Sequence, residues 1–203
     1  MKKIITISRE FGSGGRYIGE LLAKNLGIPF YDRELINLVA KETNYAEEFI
    51  DENEDVKTSS FLYSLVTEGY FINSPYGIMS PNDKVFSAQT QVIRDLSEKG
   101  PCVIVGRCAD YILRNREDVL NVFVTCDMPH RVERCTKYYG IAEKDVEKTL
   151  RKKDTARAAK YNYYTGGEWG IAKNYDVTLN SGSFSVEKCA EIIANLYNAV
   201  KED

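Results

Sequence analysis

The chain has 203 residues, with 27 Lys+Arg, 30 Asp+Glu, one His and a formal net charge of -3. A chain of this size buries roughly 70% of the surface that it exposes when unfolded, enough for one real core. The slightly acidic balance argues against a dedicated binder of nucleic acid or anionic membrane, and a single histidine excludes a His-rich zinc site.

That histidine, His130, lies in Asp127-Met-Pro-His-Arg, which reads as a turn opening a helix with the His exposed at its start. The cysteines are Cys102, Cys108, Cys126, Cys135 and Cys189, an odd count without a C-x-x-C pair. Reduced thiols in a cytoplasmic protein are the simplest account. Met1 to Ser8 has too short an apolar stretch for a signal peptide and reads as a first strand. No segment approaches the ~20 apolar residues of a membrane span.

In chain order, Ile4–Ile7 is a β-branched run that predicts a buried strand. Gly12-Ser-Gly-Gly follows, then Ile18, Leu21, Leu22 and Leu26 at helical spacing up to Gly27. Ile28-Pro-Phe-Tyr predicts a short second strand, and Asp32 an N-cap for the helix through Leu35, Leu38 and Val39. Residues 44–58 and 73–83 read as polar, mobile surface segments flanking a helix from Phe61 to Phe71. A helix over 83–99 ends at Gly100-Pro101. Cys102-Val-Ile-Val-Gly and Val119–Thr125 are the clearest buried strands. A charged helix over 145–160, a last strand over 175–179 and a closing amphipathic helix over 186–200 complete the chain.

Strands alternating with helices imply an α/β fold, a parallel sheet covered on both faces. Such sheets bind ligands beyond the carboxyl ends of their strands. Three polar segments would then converge on one edge: Ser8 to Arg16, Asp32-Arg33 and Gly106-Arg107. Strand, Gly12-Ser13-Gly14-Gly15-Arg16, then helix is a phosphate-binding layout, because glycines turn backbone N–H groups toward an anion at a helix start. Arg16 in the first helical turn opposes the helix dipole, which an anion would relieve.

Ile7 to Asp32 resembles the opening of a cytidylate kinase-like P-loop kinase, and so does Cys102-Val-Ile-Val-Gly-Arg-Cys-Ala-Asp-Tyr-Ile-Leu. The likeness continues through Arg131 and Arg134, Arg151-Lys-Lys-Asp-Thr-Ala-Arg157 and Tyr175-Asp-Val-Thr-Leu-Asn-Ser, in order along nearly the whole chain. It implies a three-layer fold with a five-stranded parallel sheet, as one domain. Residues 1–32, 101–130 and 173–203 would form the core, 33–100 an acceptor-binding insert and 131–172 a lid. It further implies transfer of the ATP γ-phosphoryl to a nucleoside monophosphate with Mg²⁺, CMP or dCMP first among acceptors. The partners are small-molecule nucleotides.

Two segments depart from the family pattern. In G-x-x-x-x-G-K-[ST] the Lys meets the β/γ-phosphates and the Ser/Thr meets Mg²⁺. Here Gly15 stands at the Lys position and Arg16 at the Ser/Thr position. The segment after the third strand, Gly-Arg-Asp in the family, reads Gly106-Arg107-Cys108, and a thiol does not accept from a base amino group as a carboxylate does. The resemblance places the donor on Gly12, Ser13, Gly14, Gly15, Arg16 and Tyr17, with Arg16 the substitute cation. The Mg²⁺ hydroxyl would come from Ser13, Tyr17 or water. It places Arg107 and Arg157 on the acceptor or the transferring group, because guanidinium forks match phosphate oxygens. Asp32, Arg151 and Asp154 join them at the acceptor. Two other readings stand beside this one: a P-loop kinase for another small acceptor, suggested by Cys108, and a nucleotide- or phosphate-binding sensor without catalysis, suggested by the missing Lys. Closure of lid and insert over the substrates is expected, since water at the γ-phosphate would hydrolyse ATP.

Overall fold

In this computed structural model the described residues are 3–45, 47 and 80–199. Side-chain alternation along the strands fixes the layers. In β1 (Ile4–Arg9), Ile5 and Ile7 face one side and Ile4 the other. In β3 (Cys102–Val105), Val103 and Val105 join the first side, while Cys102 and Ile104 join the second. β4 (Val119–Thr125) follows suit with Leu120, Val122 and Val124. Two apolar faces require a cover on each. The first packs under α1 (Gly15–Leu26) and α7 (Val186–Asn198), through Ile18, Leu22 and Ile193. The second packs under α3 (Pro81–Lys99) and the short α4 (Ala109–Ile112), through Ile93 and Leu96.

With β2 (Phe30–Tyr31) and β5 (Val177–Asn180), the sheet order is β2-β3-β1-β4-β5 and every pairing is parallel. β1 is central, with Ile4 opposite both Cys102 and Val119. The expected three-layer α/β fold with a five-stranded parallel sheet is therefore present. α2 (Glu34–Thr43) packs on α3 through Ile36, Val39 and Val85. α5 (Met128–Tyr139) and the 23-residue α6 (Glu143–Thr165) share a small core of Cys135, Val146 and Leu150 with Phe11 packed against it.

Several expectations shift. β1 runs on to Arg9, two residues past Ile7, because β4 continues beside it and pairs Ser8 with Phe123 and Arg9 with Val124. The polar segment 73–83 gives way at its end to α3, where Ser80 Oγ accepts from Asp83 N and Pro81 takes the first helical position. Asp32 is not the side-chain cap of α2. Arg33 occupies the cap position in helical conformation with no side-chain cap bond, and the Asp32 carboxylate pairs with Arg16 instead. The helix expected over 61–71 lies outside the described residues, as does most of 44–58. His130 is exposed in the first turn of α5, with Nδ1 2.7 Å from Asp127 Oδ1. All five cysteines are buried free thiols. No helix among the described residues is long and apolar enough to cross a membrane.

Candidate functional site

β1 ends where α1 begins, and the turn between them carries the glycine loop. Gly12 and Gly14 adopt φ +79° and +80°, the left-handed region that glycine enters without strain. The turn leaves the N-terminus of α1 without a side-chain cap. Its first N–H groups, and the positive end of the helix dipole, face the carboxyl edge of the sheet.

The three strand ends meet there as expected. A cleft of about 450 Å³ is lined by Arg9 to Gly12 and Gly14 to Arg16 of the loop, by Asp32 and Arg33 after β2, and by Arg107 after β3. Lys153 and Arg157 of α6 close its far wall. Six basic side chains (Arg9, Arg16, Arg33, Arg107, Lys153 and Arg157) therefore face two carboxylates, Glu10 and Asp32. This is a focused positive field on a protein of net negative charge. Beside the cleft lies a pocket of about 60 Å³, with Ser8, Cys108, Lys160 and Trp169 in its wall. Arg9, Arg107 and Arg157 border both spaces. On the other side of the loop, Gly14, Tyr17, His130, Arg134 and Val186 border a larger cavity of about 600 Å³.

Most sequence-predicted residues come together here. Gly12, Gly14, Gly15, Arg16, Asp32, Arg107 and Arg157 line the cleft. Arg16 donates from Nε to Asp32 Oδ2 at 2.7 Å, with its side chain 53% exposed. Arg107 is buried, and it and Cys108 adopt φ +57° and +55° straight after Gly106 at +74°. Two consecutive non-glycine residues in this region are strained. Gln89 of α3, itself buried, holds the turn by donating from Nε2 to the Arg107 carbonyl at 2.9 Å. Arg157 donates from Nη1 to the Arg9 carbonyl at 3.1 Å and lies over the Phe11 ring.

Other predicted residues are placed elsewhere. Ser13 is fully buried, and its Oγ donates to the Glu10 carbonyl at 2.9 Å. Tyr17 is exposed and borders the large cavity. Arg151 sits on the solvent side of α6, 3.8 Å from Glu147. Asp154 joins the loop to α6: Oδ1 accepts from Phe11 N at 2.7 Å, and Oδ2 pairs with buried Arg131. Arg131 also donates from Nε to the Phe11 carbonyl at 2.8 Å, and Arg134 donates from Nη1 to the Gly12 carbonyl at 2.7 Å. Aromatic side chains at the end of α6 and just beyond it reach other elements. Tyr164 stacks on Phe86 of α3, and Trp169 meets Phe123 of β4 edge-on. The Tyr161 hydroxyl donates to buried Asp110 Oδ2 at 2.8 Å. Burial pushes the Asp110 carboxyl up, and the Tyr161 bond draws it partly back.

Among the described residues no group of three or more His, Cys, Asp or Glu side chains is arranged to hold a metal. Mg²⁺ in phosphoryl transfer needs no such cage, because phosphates and water supply most of its ligands. Both carboxylates of the cleft are engaged: Glu10 accepts from Thr125 Oγ1 and Cys126 N at 2.7 and 2.9 Å, and Asp32 pairs with Arg16 through Oδ2. Asp32 Oδ1, 4.0 Å from Arg9 Nη2, is the oxygen that could meet Mg²⁺ through water. Sequence reasoning missed Arg9, which borders both cleft and small pocket. Its signal was parity, two residues beyond Ile7 on the face that carries α1.

Known proteins resemble the chain over nearly its whole length. Residues 4–183 match the cytidylate kinase-like family. A cytidylate kinase of Archaeoglobus fulgidus is 27% identical over 195 residues, covering 93% of this chain and 91% of that one. An uncharacterized protein of Eubacterium ventriosum has a crystal structure that superposes with a TM-score of 0.72 at 25% identity, covering 98% of this chain and all of that one (100%). A shikimate kinase of Acinetobacter baumannii superposes with a TM-score of 0.53 at 14% identity, over 99% of this chain and 97% of that one, a likeness of fold alone. Sheet order, glycine loop and family match agree: the chain belongs to the cytidylate kinase-like family.

Proposed function

We propose that the protein is a nucleotide kinase that transfers the γ-phosphoryl of ATP to a nucleoside monophosphate, with CMP or dCMP as acceptor. The observation that carries this reading is the glycine loop at the start of α1, opening into a cleft with six basic side chains. The backbone of Gly12 to Gly15 and the first turn with Arg16 and Tyr17 would hold the donor phosphates, and the large cavity beyond Gly14 has room for the donor nucleoside. Arg107 and Arg157 stand between cleft and small pocket, where the transferring group and the acceptor phosphate would meet.

In the reaction, the bond between the γ-phosphorus and its bridging oxygen breaks. A bond forms between that phosphorus and an oxygen of the acceptor phosphate, giving ADP and a nucleoside diphosphate. The acceptor oxygen is already anionic at neutral pH, so no general base is required. Positioning and charge neutralisation by the arginines supply the catalysis. Mg²⁺ carried with ATP would add charge neutralisation, and Asp32 would be the residue to hold it, through water. The proposed insert, 33–100, and lid, 131–172, find support in the packing of α2 on α3 and of α5 and α6 over the loop. Asp154 would serve by tying lid to loop, and Arg151 from the lid surface.

Cys108 in the wall of the small pocket favours a second reading, a kinase for another small acceptor. An ADP-release assay with CMP, dCMP, UMP, AMP and small alcohols separates these. Turnover on CMP or dCMP is expected. Turnover on an alcohol alone selects the second reading, and ATP binding with no turnover at all selects the sensor.

A further inference from the structure

The P-loop pattern needs a cation at position 15, and this chain has glycine there. The structure supplies a physical reason. Side chains of β1 alternate, and Ile5 and Ile7 lie beneath α1, so Arg9 projects onto that same face under the first turn of the helix. A Cβ on Gly15 would stand 2.6 Å from Arg9 Cβ and 3.0 Å from Cγ. These atoms belong to the root of the Arg9 side chain, which cannot swing aside. At the other end, a Cβ on Gly106 would overlap Arg9 Nη1. Two glycines thus clear a path for one arginine, from beneath the loop to the end of β3. Along that path Arg9 borders both the phosphate cleft and the small pocket, with its side chain only 17% exposed and Nη2 4.0 Å from Asp32 Oδ1.

We infer that Arg9 takes the place of the P-loop lysine, its guanidinium reaching the β- and γ-phosphates of the donor from the strand rather than from the helix. This inference rests on the kinase reading above. It moves the role away from Arg16, which is half exposed and gives its Nε to Asp32. A planar fork at the boundary of donor and acceptor spaces can hold two oxygens of the transferring group at once, which an ammonium cannot do with fixed geometry. A lysine at position 15 and any side chain at position 9 exclude each other, because the contact is already made at Cβ.

The test is calorimetric binding of ATP and of inorganic tripolyphosphate, alongside turnover, for wild type, Arg9→Lys, Arg9→Met and the double variant Arg9→Gly/Gly15→Lys, in which no Cβ at position 9 is left to meet the new lysine. Circular dichroism melts verify that each is folded. Arg9→Met should weaken both ligands by about tenfold or more, the effect of losing one charge-assisted phosphate contact. Arg9→Lys, which keeps the charge but loses the fork, should fall between wild type and Arg9→Met, and the double variant should recover most of the loss. Equal affinity of folded Arg9→Met and wild type for both ligands would overturn the inference, as would a wild type that binds neither. Tenfold weaker binding in Arg9→Met with no turnover by wild type on any acceptor would sink the kinase reading and leave the role of Arg9 standing.

Discussion

Asp154→Ala removes a side chain that bridges the backbone of the glycine loop and the guanidinium of Arg131. Arg131 has a side-chain exposure of 6% and Asp154 of 18%, so the pair is largely out of water. Breaking a buried pair by removing one partner costs ~3–5 kcal/mol. Glu10 Oε1 stays 3.6 Å from Arg131 Nη1 and softens that loss, while Phe11 N loses its acceptor. A net cost of about 2–4 kcal/mol follows. For a domain of this size each kcal/mol moves Tm by roughly 2–4 °C, so a fall of about 5–15 °C is expected. The assay is a thermal melt by circular dichroism with no nucleotide present, which separates this role from a contact to a bound acceptor. The double variant Arg131→Met/Asp154→Leu should lose less than Asp154→Ala, because no lone charge is then left buried. A fall under about 2 °C for Asp154→Ala, or a double variant less stable than it, would refute the reasoning.

Two further outcomes follow from the site. Asp110 has its carboxyl pushed up by burial, so the folded state binds its proton more tightly than the unfolded state. The stability it lends is full below the ordinary aspartate range and is lost as pH rises through its folded value. Asp110→Asn, still able to accept from Tyr161, should therefore flatten this pH dependence and raise Tm relative to wild type at pH 7–8 in melts across roughly pH 4–8; a lower Tm throughout that range would contradict it. Gln89→Leu deprives the strained Arg107 turn of its buried donor and should cost about 1–3 kcal/mol. In kinetics it should raise the acceptor KM while leaving ATP affinity near wild type, and an unchanged Tm with unchanged acceptor KM would show that the turn holds itself.

The central strands were legible because β-branched runs such as Ile4–Ile7 and Val103–Val105 admit few alternatives, and their convergence on one edge follows from parallel order. The ends of elements were not. The extension of β1 to Arg9 depends on a neighbour, β4, that runs equally far, and no local pattern in Ser8-Arg9-Glu10 records that. Asp154 was read within a charged run, where one inward residue is easily hidden. Val146, Leu150 and Asp154 nonetheless recur every four residues, and the first two are buried. Helical spacing had therefore already placed the carboxylate on the packed face. Asp32 looked like a helix cap because aspartate before a helix usually is one. Two arginines from separate elements draw it away, Arg16 from α1 and Arg9 from β1.

The most direct test of the account is ³¹P NMR of the protein with ATP, Mg²⁺ and CMP. Resonances of a cytidine diphosphate should grow as those of ATP decline, at equal rates, with ADP appearing in step. Release of inorganic phosphate alone, or an unchanged spectrum with CMP, dCMP, UMP and AMP in turn, would contradict phosphoryl transfer to a nucleotide.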